Sequence, residues 1–168
     1  MEIGAYWKSI MAIFDASFGS SLHYAVATVN ADGSPHVTPI GALLLRDDKT
    51  GFYFEQFLNK MPGNLERDNR ICVLAVNSDM SFWGKSLTNG LFEVPPAVRL
   101  NGTVGERRTA TEEEIGQWHQ RVGFARGMKG FDILWKDMDT VRDIEFDSFE
   151  PVSTGAMTDH LWQDWCGE

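Results

Sequence analysis

The sequence predicts a mainly β fold: a small barrel of six strands with helices at its periphery. Three observations predict it. Residues 22–30 alternate in sidedness and run into Asp32-Gly33, a strong hairpin signal because both residues tolerate the positive φ of tight turns. Five further strand-like runs follow, over 35–45, 51–57, 70–77, 97–108 and 140–149. Pro39 and Gly41 fall inside the second run, where ordinary sheet interiors avoid them, so the barrel wall is expected to open there.

The elements read in order as follows. Ile3, Trp7, Ile10 and Phe14 form a helical stripe over 3–17, with Gly19 as its stop and the helix expected to cover an open end of the barrel. Leu22, Tyr24 and Val26 then face one way, and Ala25, Ala27 and Val29 the other. After the Asp32-Gly33 turn come the second strand, the turn "RDDKTG" and an aromatic third strand. Residues 59–69 read as a loop and a short helix, with Pro62 in the first turn where its missing N–H costs nothing. The fourth strand, "RICVLAVN", reads as buried, with Cys72 as a small core residue. Residues 78–96, rich in Gly, Ser, Asn and Pro, read as a long loop. Gly102 and Gly105 permit a bend in the fifth strand. "TEEE" at 111–114 is a capping box that opens a helix with Ile115, Trp118 and Val122 on one face. Residues 123–139 read as loop with a short helix. The chain divides as one domain over 1–168: an N-terminal helix to 19, a barrel core over 20–110, a helix and last strand over 111–150, and a tail over 151–168.

A chain of 168 residues, 43% hydrophobic, can bury a core of its own. The formal net charge of −9 argues against nucleic acid as a partner. Any phosphate site must therefore be built locally, from one or two basic groups or from backbone amides. No apolar run is long enough to span a membrane, and "MEIGAYWKSIMAIF" lacks the basic start of a signal peptide, so the expected compartment is the cytoplasm. The two cysteines, Cys72 and Cys166, form no disulfide framework. None of His23, His36, His119 and His160 has a second ligand at metal spacing, and no metal site is expected. Hydrolase, Walker and dinucleotide motifs are absent.

Two segments carry candidate chemistry. "HVTPIG" could offer the backbone of Val37, Thr38, Pro39 and Ile40 to the polar edge of a cofactor; the ordinary reading is an edge strand or bulge. "EQFLNKMPGNL" leaves a strand and opens a helix. Its amides, the Lys60 charge and the Asn64 amide could cradle a phosphate; the ordinary reading is a plain connection with Lys60 solvated. Trp83, in the long loop, could stack on a ring or bury in an interface, as could others of the six tryptophans, although most read as core.

Taken together, "ATVNADGSPHVTPIGALLL" and "GFYFEQ", Lys60, then "NLERDNRICVLAV", resemble the pyridoxamine 5'-phosphate oxidase-like flavoproteins, the FMN-binding split β-barrels. The resemblance spans about residues 20 to 110. It implies a six-stranded Greek-key barrel, a homodimer, and FMN at the subunit interface of an oxidoreductase acting on a small molecule. Carried over by position, Val37, Thr38, Pro39 and Ile40 touch the flavin ring edge or ribityl chain. Glu55, Gln56 and Phe57 line the next stretch, and Lys60 and Asn64 approach the phosphate. Trp83 and Lys85 reach in from the other subunit. The family's phosphate loop usually carries Ser or Thr with Arg-Lys, where this chain has "LNKMPGNL". Its oxidases end in an Arg/His substrate motif, where this chain has "HLWQDWCGE", so pyridoxamine phosphate is not the expected substrate. The alternatives within the same barrel are a haem-binding or haem-degrading protein using His160, a deazaflavin-dependent protein, and a non-catalytic flavin binder.

Overall fold

A computed structural model describes residues 2–162 of the chain. Cys166, which falls in the tail over 151–168, lies outside the described residues. The order is helix α1 (Ile3–Ser21), strands β1 (Tyr24–Val29), β2 (Pro35–Ile40), β3 (Leu43–Leu45) and β4 (Thr50–Phe54), helix α2 (Met61–Leu65), strand β5 (Arg70–Val76), helix α3 (Met80–Asn89), strand β6 (Ala97–Thr109), helices α4 (Glu112–Arg121) and α5 (Lys129–Leu134), strand β7 (Thr140–Pro151) and helix α6 (Asp159–Trp162).

The strands form one antiparallel sheet in the order β2-β1-β5-β6-β7-β4-β3. There are seven strands where six were expected, because the run 35–45 breaks at Gly41. A Cβ on Gly41 would stand 2.6 Å from the Leu22 carbonyl oxygen, so a side chain there is sterically barred. The break sends β2 and β3 to opposite edges of the sheet while only Gly41 and Ala42 join them. A sheet whose two edges are tied by two residues must curl back on itself, which makes the half-barrel.

The β1–β2 turn closes with Asn30 N–H donating to Ser34 O, and Gly33 alone takes a positive φ of 82°. The loop is therefore a three-residue connection ending in a left-handed glycine, not a two-residue mirror-image turn. Tyr24, Val26 and Thr28 point inward, as do Ile71, Val73 and Ala75 of β5. Cys72 lies on the other face, half-buried, rather than in the core. At Gly102 of β6 a Cβ would overlap the Glu145 carbonyl oxygen, and the ladder with β7 slips at this residue.

Helix α1 lays Trp7, Ile10, Phe14 and Phe18 into the core, and Trp7 Nε1 donates to the Arg46 carbonyl at 2.7 Å. It runs past Gly19 and stops at Leu22, which takes the left-handed conformation (φ 61°) usually left to glycine. Leu22 is thus a cap, not the first inward residue of β1. Residues 78–96 hold a helix rather than one long loop: Asp79 caps α3 by accepting from Phe82 N–H at 2.7 Å, and only the flanking residues are irregular. The described part of the tail docks here, with Phe92 N–H donating to the Met157 carbonyl.

The capping box of α4 forms as read: Thr111 Oγ1 accepts from Glu114 N–H at 3.2 Å, and Glu114 accepts from Thr111 N–H at 2.9 Å. Thr111→Ala should cost about 1 kcal/mol, read as a lower urea midpoint at unchanged m. No described helix is long and apolar enough to cross a membrane.

Candidate functional site

A polar cleft opens between the β1–β2 turn and α2, lined by Asn30, Asp32, Lys60, Gly63, Asn64 and Arg67. Asn64 is only 3% exposed. Its Nδ2 donates to Thr28 Oγ1 and Asn30 Oδ1, both at 3.1 Å, and its Oδ1 accepts from Arg67 Nη2 at 2.7 Å. Both amide protons are spent, so Asn64 offers no donor to an anion. It ties the turn to α2 and aims Arg67 instead. Helix α2 is five residues long, too short for its amides to act as an anion site without help. The cations that make the cleft attractive to phosphate are Lys60 and Arg67.

Arg67 escaped the sequence reading. The available signal was its spacing: at i+3 from Asn64 and i+7 from Lys60, a helical continuation places all three on one face. Asp32 also borders the cleft, but the Ser34 hydroxyl and amide hold its carboxyl below the usual range, with Lys60 adding a smaller pull.

Separately, Pro39, Ile40, Gln56 and Phe57 come together around a second cavity whose walls include Phe54 and Trp118. Strand β2 is an edge strand paired only with β1, so one side of its backbone faces outward. Thr38 Oγ1 lies 2.9 Å from His36 Nε2, and Val37 is exposed. Phe57 is 66% exposed and holds a positive φ of 59°. For a bulky residue that conformation is strained, and such strain gathers at binding sites.

Glu55 behaves differently from its neighbours. Its side chain, 2% exposed, accepts from Arg142 Nε at 2.7 Å, from Arg107 and from the Tyr53 hydroxyl at 3.0 Å. Its carboxylate is committed to the barrel wall, leaving only its backbone to the groove. Trp83 and Lys85 lie on α3, away from both cavities: Trp83 Nε1 donates to Asn77 O at 2.6 Å, and Lys85 pairs with Glu93 at 2.8 Å. Neither contributes to the groove within one subunit. His160 is exposed on α6. Among the described residues no three His, Cys, Asp or Glu side chains gather as metal ligands.

The family model for pyridoxamine 5'-phosphate oxidase matches residues 16–145. The chain belongs to this family. No curated protein matches the chain. Among solved structures, HupZ of Group A Streptococcus is 21% identical, with 89% of this chain and 96% of that chain covered at a TM-score of 0.57. An FMN-binding protein of Syntrophomonas wolfei is 11% identical, with 89% of each chain covered and a TM-score of 0.60. HutZ, the haem storage protein of Vibrio cholerae, is 13% identical, covering 84% of this chain and 94% of that one at a TM-score of 0.55. At these identities the likeness is one of fold. The pyridoxamine 5'-phosphate oxidase family thus supplies the split barrel, and the groove of this member must be judged on its own residues. In kind they suit a flavin mononucleotide: two cations in one cleft, an edge strand, and a separate cavity with aromatic walls.

Proposed function

We propose that this chain is an FMN-binding oxidoreductase acting as a homodimer on an unidentified small molecule. The observation that carries the reading is the pairing of Lys60 and Arg67 in one cleft of an otherwise acidic chain, beside the turn that leads into β2. Lys60 supplies a point charge. The Arg67 guanidinium, oriented by Asn64, supplies the directional donors that phosphate oxygens take in pairs. Pro39, Ile40, Gln56 and Phe57 would then meet the flavin ring. Bound there, the flavin would carry the electrons. The protein would hold its phosphate, orient the ring and keep water from its covered face.

The homodimer has support of its own. The outward face of β1 and β5 carries half-buried Ala27, Val29, Cys72, Leu74 and Val76, where a solvated sheet face alternates to polar residues. Thr103 and Pro35 border the same shallow hollow. A second copy on this face would cover the apolar surface and bring its own elements toward the groove.

Purified protein desalted after FMN addition should retain flavin absorbance at about one per subunit. Lys60→Ala and Arg67→Ala should each weaken FMN binding about tenfold, with the unfolding midpoint unchanged in Lys60→Ala. Loss of all flavin on desalting of the wild-type protein rejects the reading. The haem alternative is favoured by the fold shared with HutZ. It predicts instead a Soret band on haem addition that His160→Ala abolishes.

A further inference from the structure

Residues 121–136 differ in charge from the rest of the chain. They carry Arg121, Arg126, Lys129 and Lys136 against Asp132 alone, with Asp137 directly after, in a chain of net charge −9. Arg121 is engaged with Asp15 and the Tyr24 hydroxyl. Arg126, Lys129 and Lys136 are exposed and form no ion pair among the described residues. The same stretch exposes large apolar side chains: Phe124 at 59%, Met128 at 58%, Ile133 at 71% and Leu134 at 42%. Successive turns hold them as one surface, with Met128 N–H donating to the Ala125 carbonyl, Phe131 N–H to Met128 and Lys136 N–H to Phe131. Phe131 and Trp135 anchor it, Trp135 at 5.8 Å from Trp118 and Phe131 at 5.6 Å from the His119 ring. On α5, Ile133 follows Lys129 by one helical turn, so a cation and an apolar tip share a face.

We infer that this surface docks on a membrane rich in anionic lipid, with Phe124, Met128, Ile133 and Leu134 dipping among the acyl chains and Arg126, Lys129 and Lys136 meeting the headgroups. Unpaired cations around exposed apolar tips are the combination that holds a soluble surface on an anionic bilayer. The shape separates this from a peptide site. A peptide helix is gripped in a groove, whereas Phe124, Met128 and Ile133 protrude and line neither the cleft nor the aromatic cavity. The acidic remainder of the chain does not prevent docking, because repulsion fades over about 8 Å at physiological salt and the nearest charges decide the contact. Asp132 and Asp137 temper the attraction, so the apolar tips are needed as well as the charge. The second copy proposed above covers the outer face of the sheet. Trp135, through Trp118 and buried Phe54, sets this surface over the core face, so both can be occupied at once. The docking uses neither Lys60 nor Arg67 and stands or falls separately from the FMN reading.

The test is co-sedimentation of the full chain with vesicles of phosphatidylcholine alone and of phosphatidylcholine carrying about 30% phosphatidylglycerol. The expected result is binding about tenfold tighter to the anionic vesicles, weakened about tenfold when salt is raised to about 1 M. Lys129→Gln should weaken that binding about fivefold, and Arg126→Gln, Lys129→Gln and Lys136→Gln together about a hundredfold. Ile133→Ser, which removes a tip and no charge, should weaken it about fivefold. Lys85→Gln on α3 removes the same charge elsewhere and should leave it unchanged. Far-ultraviolet circular dichroism checks that each variant is folded. Should the triple variant not fold, the salt series on the wild-type protein tests the charges and Ile133→Ser tests the tips. Absence of vesicle binding, equal binding to both vesicles, insensitivity to salt, or wild-type binding by Ile133→Ser overturns the proposal. So does self-association of the wild-type protein without vesicles that the triple variant abolishes, because a second copy then covers this surface.

Discussion

Glu55→Ala should lower the stability of the fold by about 3–5 kcal/mol, the range for breaking a buried ion pair from one side. The side chains of Glu55 and Arg142 are 2% and 7% exposed. Glu55 receives Arg142, Arg107 and the Tyr53 hydroxyl; burial first, and then the Glu55 charge, push the Tyr53 phenol well above its usual range and keep it a donor. Removing the carboxylate leaves the Arg142 guanidinium buried with the Gly105 carbonyl at 3.1 Å as its close acceptor. Urea unfolding followed by far-ultraviolet circular dichroism measures the loss. The double variant Glu55→Leu with Arg142→Met should recover most of it, because the cost lies in the unpaired charge and not in the absent pair. A single variant within 1 kcal/mol of wild type, flagged against the ~3 kcal/mol expected, sinks the account. The consequence reaches the groove, since Gln56 and Phe57 leave the barrel wall directly after Glu55.

Acid should unfold the protein across the window from about pH 4.5 down to about pH 2, through a second cluster. Arg108 forks onto both carboxylates, meeting Glu114 at 2.7 and 2.9 Å and Asp143 at 2.6 and 2.7 Å, while Arg46 reaches Glu114 at 2.6 Å and Asp143 at 2.8 Å. The Arg108 hydrogen bonds chiefly, against an opposing burial effect, pull Glu114 from the usual 4.5 down to about 2 and Asp143 from 3.8 down to about 2. Each carboxyl therefore binds its proton more weakly in the folded chain than in the unfolded one. Their contribution is complete above the unfolded values and is lost as pH falls toward the folded ones. For Glu114, whose side chain is 8% exposed, the shift corresponds to at most about 3 kcal/mol. Asp143, 40% exposed, contributes much less because solvent screens it. Urea midpoints at pH 6 and pH 3 should diverge in wild type and draw together in Arg108→Leu. Equal divergence in both proteins would mean that other carboxyls govern the acid limit.

Much of the fold could be read from residue order because local signals agreed with the final packing. The Trp7 stripe, the Asp32-Gly33 turn and the Thr111 capping box are contacts within a few residues, and each formed. Gly41 was correctly noticed as anomalous, but its reason, the Leu22 carbonyl pressed against it, is a contact across the fold. That contact turned one expected strand into two. Helix α3 was missed because Met80 and Leu87 are exposed while adjacent Phe82 and Trp83 pack half-buried on Phe92: Ser86 is its only buried residue among those described, so no inward stripe marks it. In the groove, Lys60 was visible as an isolated cation near a helix start. Arg67 was not, since its role depends on the Asn64 side chain, which spends its own amide on Thr28 and Asn30. Trp118 read as core, which it is. That its N–H finds no acceptor among the described residues depends on every neighbour at once and leaves no mark in a sequence.

The two-residue stitch at Gly41 and Ala42 separates two kinds of cohesion. Strand β2 pairs only with β1, and β3 only with β4. A chain cut between Gly41 and Ala42 would keep every rung of the sheet and lose only the covalent tie between its margins. Adhesion between strands and curvature of the whole are thus held by different bonds. The hem adds a covalent tie to a curvature that the shared core also holds, and it borders the aromatic cavity.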